Sequence, residues 1–389
     1  MKNRKRLPAL LLCLALIASL CACKPDGQTD SSETPSSTGP GASQAPSAAP
    51  SIEVDRTQNA VTFAAGLSPT DALLVINGEA VRADLFLYLL FMDCYNFESY
   101  YYYYGVTVAD YAGMLLEDTV NMALYYTILR QRAAELGCLP TDAQMQEAKD
   151  KLSADRDSLK TAYGLSDESI DHISSYTYYY QNLLGAVPAP TEEDLNNYVY
   201  QVKHILLMTV DTEGEPVLRD DGTYAYPALS DETVAEKRRQ AEDILARLQA
   251  VEGEERLSLF DELMNQYSED SGLAHYPDGY EYTVEDSLVG GFTEAALALE
   301  AGGLSGIVET DYGYHIMLRG EVADLESYAE ACREHQLSEE LNSLMETAKV
   351  TPAPALDTLD VAGFYERYIA YQSAVLEQDD AAEGGSDAG

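Results

Sequence analysis

Two histidines in this chain of 389 residues stand beside apolar runs and are its first candidates for chemistry. His204 lies in the run VKHILLM, and His315 lies in the sequence ETDYGYHIML. An imidazole can donate or accept a hydrogen bond and can exchange a proton near neutral pH. The other three histidines, His172, His275 and His335, have no partners that sequence spacing identifies, and we expect them at the surface.

Two predicted strands must carry the two histidines, one over residues 202–209 and one over residues 314–319. The pattern between them predicts three helices and one further short strand, near 231–250, 256–267, 292–300 and 306–309. Helices and strands therefore alternate irregularly between Tyr200 and Val322. This mixture indicates a compact α+β module.

The sequence on both sides of this module is patterned as helix. Apolar residues recur at helical spacing in three segments, 115–137, 166–184 and 323–350. The tetrapeptides TDAQ from Thr141 and TEED from Thr191 resemble capping boxes, which open helices. An Asn-Gly pair between apolar flanks in LLVINGEAV predicts a hairpin turn. We expect a mainly helical region that the α+β module interrupts.

The first residues of the chain have the pattern of an export signal. Four basic residues precede an apolar stretch from Leu7, which ends in LCAC at Cys23. LCAC is similar to a bacterial lipobox, so Cys23 is expected to carry lipid; an ordinary cleaved secretory signal is the alternative. The Ser, Pro, Gly, Ala and Thr that follow predict a disordered tether, and the acidic sequence from Glu377 predicts a disordered tail.

The composition excludes some partners and sites. The chain has 66 Asp and Glu against 24 Lys and Arg, a formal net charge of −42. This acidity argues against binding to nucleic acid and against electrostatic adhesion to anionic lipid. Three cysteines beyond Cys23 lie at wide spacing without a CxxC pair, at Cys94, Cys138 and Cys332. They indicate neither a disulfide framework nor a zinc site.

Tyrosine is used heavily, with 29 Tyr against 7 Phe and no Trp. It clusters at residues 100–104, 176–180 and 198–200. A side chain with an apolar body and a polar tip suits a surface that holds unfolded chains. Half-buried helix faces are the equally open alternative.

Four separated segments between Val202 and Glu321 resemble the parvulin type of peptidyl-prolyl cis/trans isomerase domain. They are VKHILL, LFDELMNQYSEDSG, FTEAALALEAGGLSGIVET and DYGYHIML, in the order of the family. The whole arrangement of lipoprotein signal, helical N-terminal region, parvulin domain and C-terminal helix resembles the PrsA-like foldase lipoproteins and, more distantly, the SurA chaperones.

This resemblance implies a set of site residues. His204 and His315 match the paired histidines of the family, which face each other from adjacent strands and hydrogen-bond through their rings. Asp270 is implied as an acceptor beside them, and Thr310 as part of the polar network behind them. Five residues are implied to bind substrate: Tyr280, Tyr282, Leu288, Phe292 and Tyr312. The sequence PDGYEY departs here from the Gly-Asp-Leu-Gly and aromatic pattern that is usual in the family.

The implied reaction is rotation about the bond before proline. It crosses a barrier of roughly 18 to 20 kcal/mol because twisting removes amide resonance. A catalyst must hold the proline ring in an apolar slot and exclude water, and it requires neither a metal nor a cofactor.

Structural roles are the alternatives for these residues. His204 and His315 would then be a pair that shapes the strands, and Asp270 would cap a loop. Leu288 and Phe292 would be ordinary core residues.

The sequence thus predicts an α+β fold: a mainly helical chaperone domain with an inserted parvulin domain, which is a small antiparallel sheet surrounded by helices. The predicted segments are a lipoprotein signal peptide (1–23), a disordered tether (24–65), a helical N-terminal chaperone region (66–198), the isomerase domain (199–322), C-terminal helices that complete the chaperone region (323–376) and a disordered acidic tail (377–389).

The expected protein is a membrane-anchored, extracytoplasmic isomerase and chaperone for secreted proteins that contain X-Pro bonds, in a bacterium of the Gram-positive type. A monomer and a homodimer both stay open. One alternative is a parvulin-fold holdase without activity. Another is a substrate-binding lipoprotein of a transporter, against which the absence of repeated βα units argues.

Overall fold

The computed structural model of the chain describes residues 52–101, 104–219, 224–286 and 288–384. These residues form two compact units. The first unit contains the described residues up to Leu183 and those from Leu341 onward, and the second unit spans Leu184–Glu340. Both boundaries fall within helices. The second unit contains the whole of the predicted isomerase segment 199–322.

The first unit is built mainly of helices. Before the boundary they are α1 (Ala60–Ala65), α2 (Ala83–Tyr101), α3 (Val108–Glu135), α4 (Asp142–Lys151), α5 (Arg156–Thr161) and most of α6 (Asp167–Ala186). After the second unit they are the end of α11 (Ala329–Thr347), α12 (Pro354–Asp357) and α13 (Val361–Gly384). The predicted capping box at Thr141 opens α4, where its hydroxyl accepts from the Gln144 amide and the Gln144 side chain reaches back.

A three-stranded antiparallel sheet joins the two chain segments that form the first unit. Strands β1 (Ala72–Ile76) and β2 (Glu79–Arg82) form the predicted hairpin, and β9 (Val350–Pro352) pairs with the other edge of β1. Asn77 and Gly78 make the turn at φ values of 52° and 90°. Both values lie in the left-handed region that Asn and Gly tolerate, which explains why this pair closes the hairpin.

Aromatic packing fixes α13 against the rest of the first unit. The ring of Phe91 in α2 lies 4.7 Å from the ring of Tyr368, which is fully buried. Tyr371 donates a hydrogen bond to the Gln58 carbonyl at 2.8 Å, and Arg367 donates to the Ala64 carbonyl at 2.7 Å. The C-terminal helix is therefore part of the core of this unit.

Two predictions of disorder are wrong where the structure describes the chain. Within the predicted tether 24–65, residues 60–65 form α1, because Asn59 caps the Val61 amide and Val61 is buried against α13. Within the predicted tail 377–389, α13 continues to Gly384, since the run QDDAAE contains no glycine or proline to end it. The signal peptide and Cys23 lie outside the described residues. Among those that are described, no helix is long and apolar enough to cross a membrane.

The second unit contains a four-stranded antiparallel sheet with the strand order β6, β3, β8, β7. The strands are β3 (Val199–Met208), β6 (Tyr280–Thr283), β7 (Val308–Glu309) and β8 (Gly313–Gly320). A two-stranded ribbon, β4 (Val217–Leu218) and β5 (Tyr224–Ala225), lies in the connection that follows β3. The helices are α7 (Glu192–Tyr198), α8 (Asp231–Gln249), α9 (Gly253–Tyr267), α10 (Phe292–Leu297) and most of α11. The predicted α+β class with small antiparallel sheets is confirmed.

Helices cover both faces of this sheet. On one face, Ile205 and Ile316 pack with Ile244 of α8 and Phe260 of α9. On the other face, a smaller cluster joins the strand residues Tyr200, Val202 and Met317 to Phe292 and Ala296 of α10. Because side chains alternate along a strand, this pattern assigns even-numbered residues of β3 and odd-numbered residues of β8 to the α10 face.

The tyrosine clusters differ in exposure. Tyr176 and Tyr178 are buried in the first unit, and Tyr198 and Tyr200 are buried in the second. By contrast Tyr100 and Tyr104 are 74% and 75% exposed. Two clusters are thus packed faces, and only the described part of the first cluster is a surface.

The predicted surface position is wrong for two of the three remaining histidines. His172 is half-buried on α6, where burial and the neighbouring Arg130 lower its pKa to about 4. His335 on α11 is partly covered; its ring is tilted against that of Tyr198 at 5.3 Å, and its Nδ1 atom binds Glu285 at 3.1 Å. His172 and His335 each lie on a helix face that packs against other elements, whereas His275 is exposed as expected.

Candidate active site

Strand alternation brings the two candidate histidines to one face of the sheet. His204 follows Tyr200 and Val202 at spacing two on β3, and His315 precedes Met317 on β8, so both point toward α10. The register pairs His204 with Met317 and Leu206 with His315. The histidines are therefore diagonal neighbours on adjacent strands.

The two imidazole rings meet edge to face and do not hydrogen-bond to each other. Their centroids are 5.3 Å apart with an interplanar angle of 62°. The Phe292 ring lies nearly perpendicular to both, at 5.2 Å from His204 and 5.3 Å from His315. The implied ring-to-ring hydrogen bond is wrong, since each Nε2 atom faces a different oxygen. Both Nδ1 atoms are buried without a hydrogen-bond partner among the described residues.

Each Nε2 atom faces a side chain that sequence analysis singled out. His315 Nε2 and Thr310 Oγ1 share a hydrogen bond of 2.9 Å. His204 Nε2 lies 3.5 Å from Asp270 Oδ2. Burial lowers the pKa of His204, against a smaller opposite effect of the Asp270 charge. Burial and then His204 lower the pKa of His315 to about 3. Both rings are therefore neutral at physiological pH.

Asp270 is held at the start of a short 3-10 helix, Ser271–Ala274, which follows α9. Its Oδ1 atom accepts the Gly272 amide at 3.0 Å, so the loop-capping role is present. Its Oδ2 atom accepts the Tyr280 hydroxyl at 2.6 Å and also faces His204. Capping thus orients the carboxylate toward the histidine pair.

An open pocket of about 530 Å³ lies over this face of the sheet. Its apolar side contains Leu288, Val289 and Phe292, and its polar side contains His204, Asp270 and His315. Four of the five predicted substrate-binding residues line it: Tyr282, Leu288, Phe292 and Tyr312. Tyr280 differs from expectation, since it binds Asp270 and is not among the lining residues. Thr310 stands behind His315, as the resemblance implied.

Sequence reasoning missed several lining residues. Leu206 and Met208 share the pocket face with His204 at spacing two, so strand alternation alone would have found them. Glu269 also lines the pocket; it accepts the Met208 amide at 2.7 Å and pairs with Lys237. Tyr226 enters from the ribbon connection, and its ring lies 6.1 Å from that of Tyr312. No local signal indicated Glu269 or Tyr226, because both reach the pocket through tertiary contacts.

Comparison with known proteins identifies this part of the chain. Residues 204–321 match the rotamase family described as the PPIC-type PPIase domain. This segment is a parvulin domain. The match begins at His204 and includes the sheet-face histidines, the Asp270 loop and α10. The sequence resemblance to the parvulin family is confirmed.

A curated relative is similar to part of the chain. Cbf2 of Campylobacter jejuni, which carries the name of a peptidyl-prolyl cis-trans isomerase, is 28% identical over 126 residues. These residues are 31% of this chain and 46% of Cbf2, so the match spans less than half of that relative.

The chain is also similar to solved structures named as PrsA. The Bacillus cereus protein is 19% identical, covers 72% of this chain and 88% of its own, and has a TM-score of 0.32. The Bacillus subtilis protein is 16% identical, covers 79% and 93%, and has a TM-score of 0.23.

Proposed function

We propose that the protein is a peptidyl-prolyl cis/trans isomerase and that the pocket above His204 and His315 is its active site. The observation that carries the proposal is the pairing of an apolar side, Leu288 and Phe292, with a polar side that holds a fixed carboxylate, Asp270. The apolar side suits a proline ring. The polar side suits the peptide group before the proline.

The geometry supports a mechanism without a covalent intermediate. In the planar peptide, resonance places partial negative charge on the carbonyl oxygen, and twisting removes it. A carboxylate beside that oxygen therefore disfavours the planar state more than the twisted state, which lowers the barrier. In this proposal the proline ring lies against Phe292, and the carbonyl oxygen before it lies near Asp270. Burial lowers the pKa of both imidazoles and keeps them neutral, so neither ring offsets the charge of the Asp270 carboxylate.

The test is the rate of cis/trans exchange in a short X-Pro peptide with the full chain at catalytic concentration. An isomerase raises the rate in proportion to protein concentration, and a parvulin-fold holdase leaves it at the uncatalysed value. Suppression of aggregation of an unfolded protein, measured in parallel, separates the holdase from an inactive preparation.

We further propose that the first unit binds unfolded secreted proteins, as a chaperone module. Support comes from the exposed aromatic end of α2 and start of α3, where Tyr100, Tyr104 and Tyr111 are exposed beside Met114. Apolar rings with polar tips bind varied sequences without a fixed register. The chain's acidity favours client segments that carry basic residues.

The proposed location is the outer face of the cell membrane, with a lipid on Cys23 as the anchor. The basis is sequence alone: the basic and apolar leader, the LCAC motif and the polar segment that follows. Metabolic labelling with a fatty acid tests it. We expect label on the wild-type chain and none on Cys23→Ala; label that persists on the variant would exclude Cys23 as the anchor.

A further inference from the structure

Tyr280 binds Asp270 and does not line the pocket, a contact that the sequence resemblance did not predict. It is half-buried at the start of β6. Its ring lies between Tyr276 and Tyr282, with centroids at 4.7 Å and 5.5 Å, and is nearly parallel to the His204 ring at 5.7 Å. Aromatic contacts on several sides therefore fix the direction of its hydroxyl.

That hydroxyl is the closest donor to the Asp270 carboxylate. It donates to Oδ2 at 2.6 Å, a short hydrogen bond to a charged acceptor. His204 Nε2 faces the same oxygen at 3.5 Å, too far for a full hydrogen bond. The Gly272 amide occupies Oδ1. Asp270 is thus bound at both oxygens by groups other than the histidine.

Gly272 makes this approach possible. A Cβ atom added at position 272 would overlap the Tyr280 hydroxyl oxygen and would also lie 3.4 Å from Asp270 Oδ1. The glycine therefore has two functions in the loop. Its amide binds one carboxylate oxygen, and its missing side chain leaves room for the phenol that binds the other.

We infer that Tyr280 is a positioning residue, whose hydroxyl fixes the Asp270 carboxylate and withholds its Oδ2 atom from His204. This inference rests on the proposed function, because it assigns a role within that site. Without the phenol, Oδ2 is free to turn to His204 Nε2 and form a full ion pair. The carboxylate would then be neutralised by an imidazolium and would act less on a bound peptide.

The pKa of His204 depends on the charged and titratable groups around its ring. They are Glu269 and Asp270 from the loop after α9, His315 from β8, and the phenols Tyr280 and Tyr282 from β6. In the wild type, burial lowers the pKa of His204 and Asp270 counters this only in part. Removal of the Tyr280 hydroxyl strengthens the contribution of Asp270, so the pKa of His204 must rise.

The experiment is NMR titration of the histidine rings of the full chain, with His204 assigned by its substitution, together with peptide isomerisation kinetics. In Tyr280→Phe, which keeps the ring and its stacking, we expect a higher pKa for His204. We expect kcat/KM to fall about tenfold, mostly in kcat, as for loss of one hydrogen bond to a charged group. The activity should also acquire a pH dependence that follows the new titration.

Two further variants complete the test. Gly272→Ala, which displaces the hydroxyl without removing it, should change the titration in the same direction. Tyr276→Phe, which removes a neighbouring phenol, should change neither titration nor kcat. An unchanged His204 titration in folded Tyr280→Phe, or in folded Gly272→Ala, would overturn the inference. If the wild type shows no isomerase activity but the titration shifts as expected, the proposed function fails while the positioning of Asp270 stands.

Discussion

His315 illustrates how the site depends on single buried groups. Its side chain is 3% exposed, its Nε2 atom binds Thr310, and its Nδ1 atom has no partner among the described residues. A buried imidazole in this setting gains a proton only at a high cost in free energy. The same burial that keeps the His315 imidazole neutral should therefore make the second unit sensitive to acid.

The first prediction is a loss of stability between pH 6.5 and pH 3 that depends on His315. The pKa of His315 is lowered to about 3 in the fold, and the unfolded chain titrates near 6.5. The unfolded state binds more protons in this window, so stability falls as the pH falls. From pH 7 to pH 5 this histidine should account for about 2 kcal/mol. Denaturant unfolding at both pH values measures it.

His315→Gln provides the comparison for that measurement. Glutamine keeps a polar side chain but does not titrate, so the difference between pH 7 and pH 5 should be smaller by about the same amount. An equal difference in wild type and variant would contradict the buried neutral state of His315.

Among the elements, the ribbon connection after β3 determines the charge near the pocket. Arg219 is the only basic residue of the sequence from Thr209 to Leu229. Its guanidinium donates to both carboxylate oxygens of Asp311, at 3.1 Å and 3.0 Å. Lys237 of α8 is paired with Glu269. Each of these cations already faces a carboxylate, and one of the two carboxylates, Glu269, lines the pocket.

The second prediction follows from these pairs and concerns the residue before proline. A phosphorylated residue brings a charge of about −1.5 to −2, which Asp270 and Glu269 repel. Isomerisation of a peptide with an uncharged or basic residue there should be at least as efficient as that of its phosphorylated counterpart. The advantage of the basic peptide should shrink with added salt. NMR exchange rates for the matched peptides measure both effects, and a clear preference for the phosphopeptide would contradict this view of the ribbon.

Helices and strands were predictable from the sequence where a local pattern of residues determines them. The apolar runs beside His204 and His315 predicted their strands, and the Thr141 capping box opened a helix as expected. The diagonal register of β3 and β8 was not predictable, since it arises from the pairing of distant segments. The bond from Tyr280 to Asp270 was missed for the same reason: it requires the backbone approach at Gly272.

At the scale of the whole molecule, the first unit is assembled from distant parts of the chain. Strand β9 pairs with β1, and Tyr368 of α13 packs against Phe91 of α2. The acidic composition from residue 377 predicted a disordered tail. Composition does not show that the helix before this acidic run is packed in a core. The order of α1 and α13 comes from their mutual burial.

The third prediction is that the first unit folds and acts without the second. Residues 184–340 are replaced by a flexible Gly-Ser linker, which preserves the β1–β9 pairing and the aromatic core. Circular dichroism should show a cooperative helical fold, and the protein should still slow aggregation of an unfolded client.

A truncation that ends at Leu183 is the matched control. It lacks β9 and α13, so it should be unfolded. If the linker protein were unfolded, or folded but without effect on aggregation, the separate chaperone module would be wrong.

The central claim, that the pocket of the second unit isomerises X-Pro bonds, is tested most directly by NMR exchange between the cis and trans forms of one peptide. The full-length wild type is compared with Phe292→Ala, which removes the ring that contacts both histidines. We predict exchange that rises in proportion to wild-type protein. We also predict a loss of at least tenfold in the variant, provided that it stays folded by circular dichroism. Exchange at the uncatalysed rate with folded wild-type protein, or equal rates with both proteins, would contradict the account.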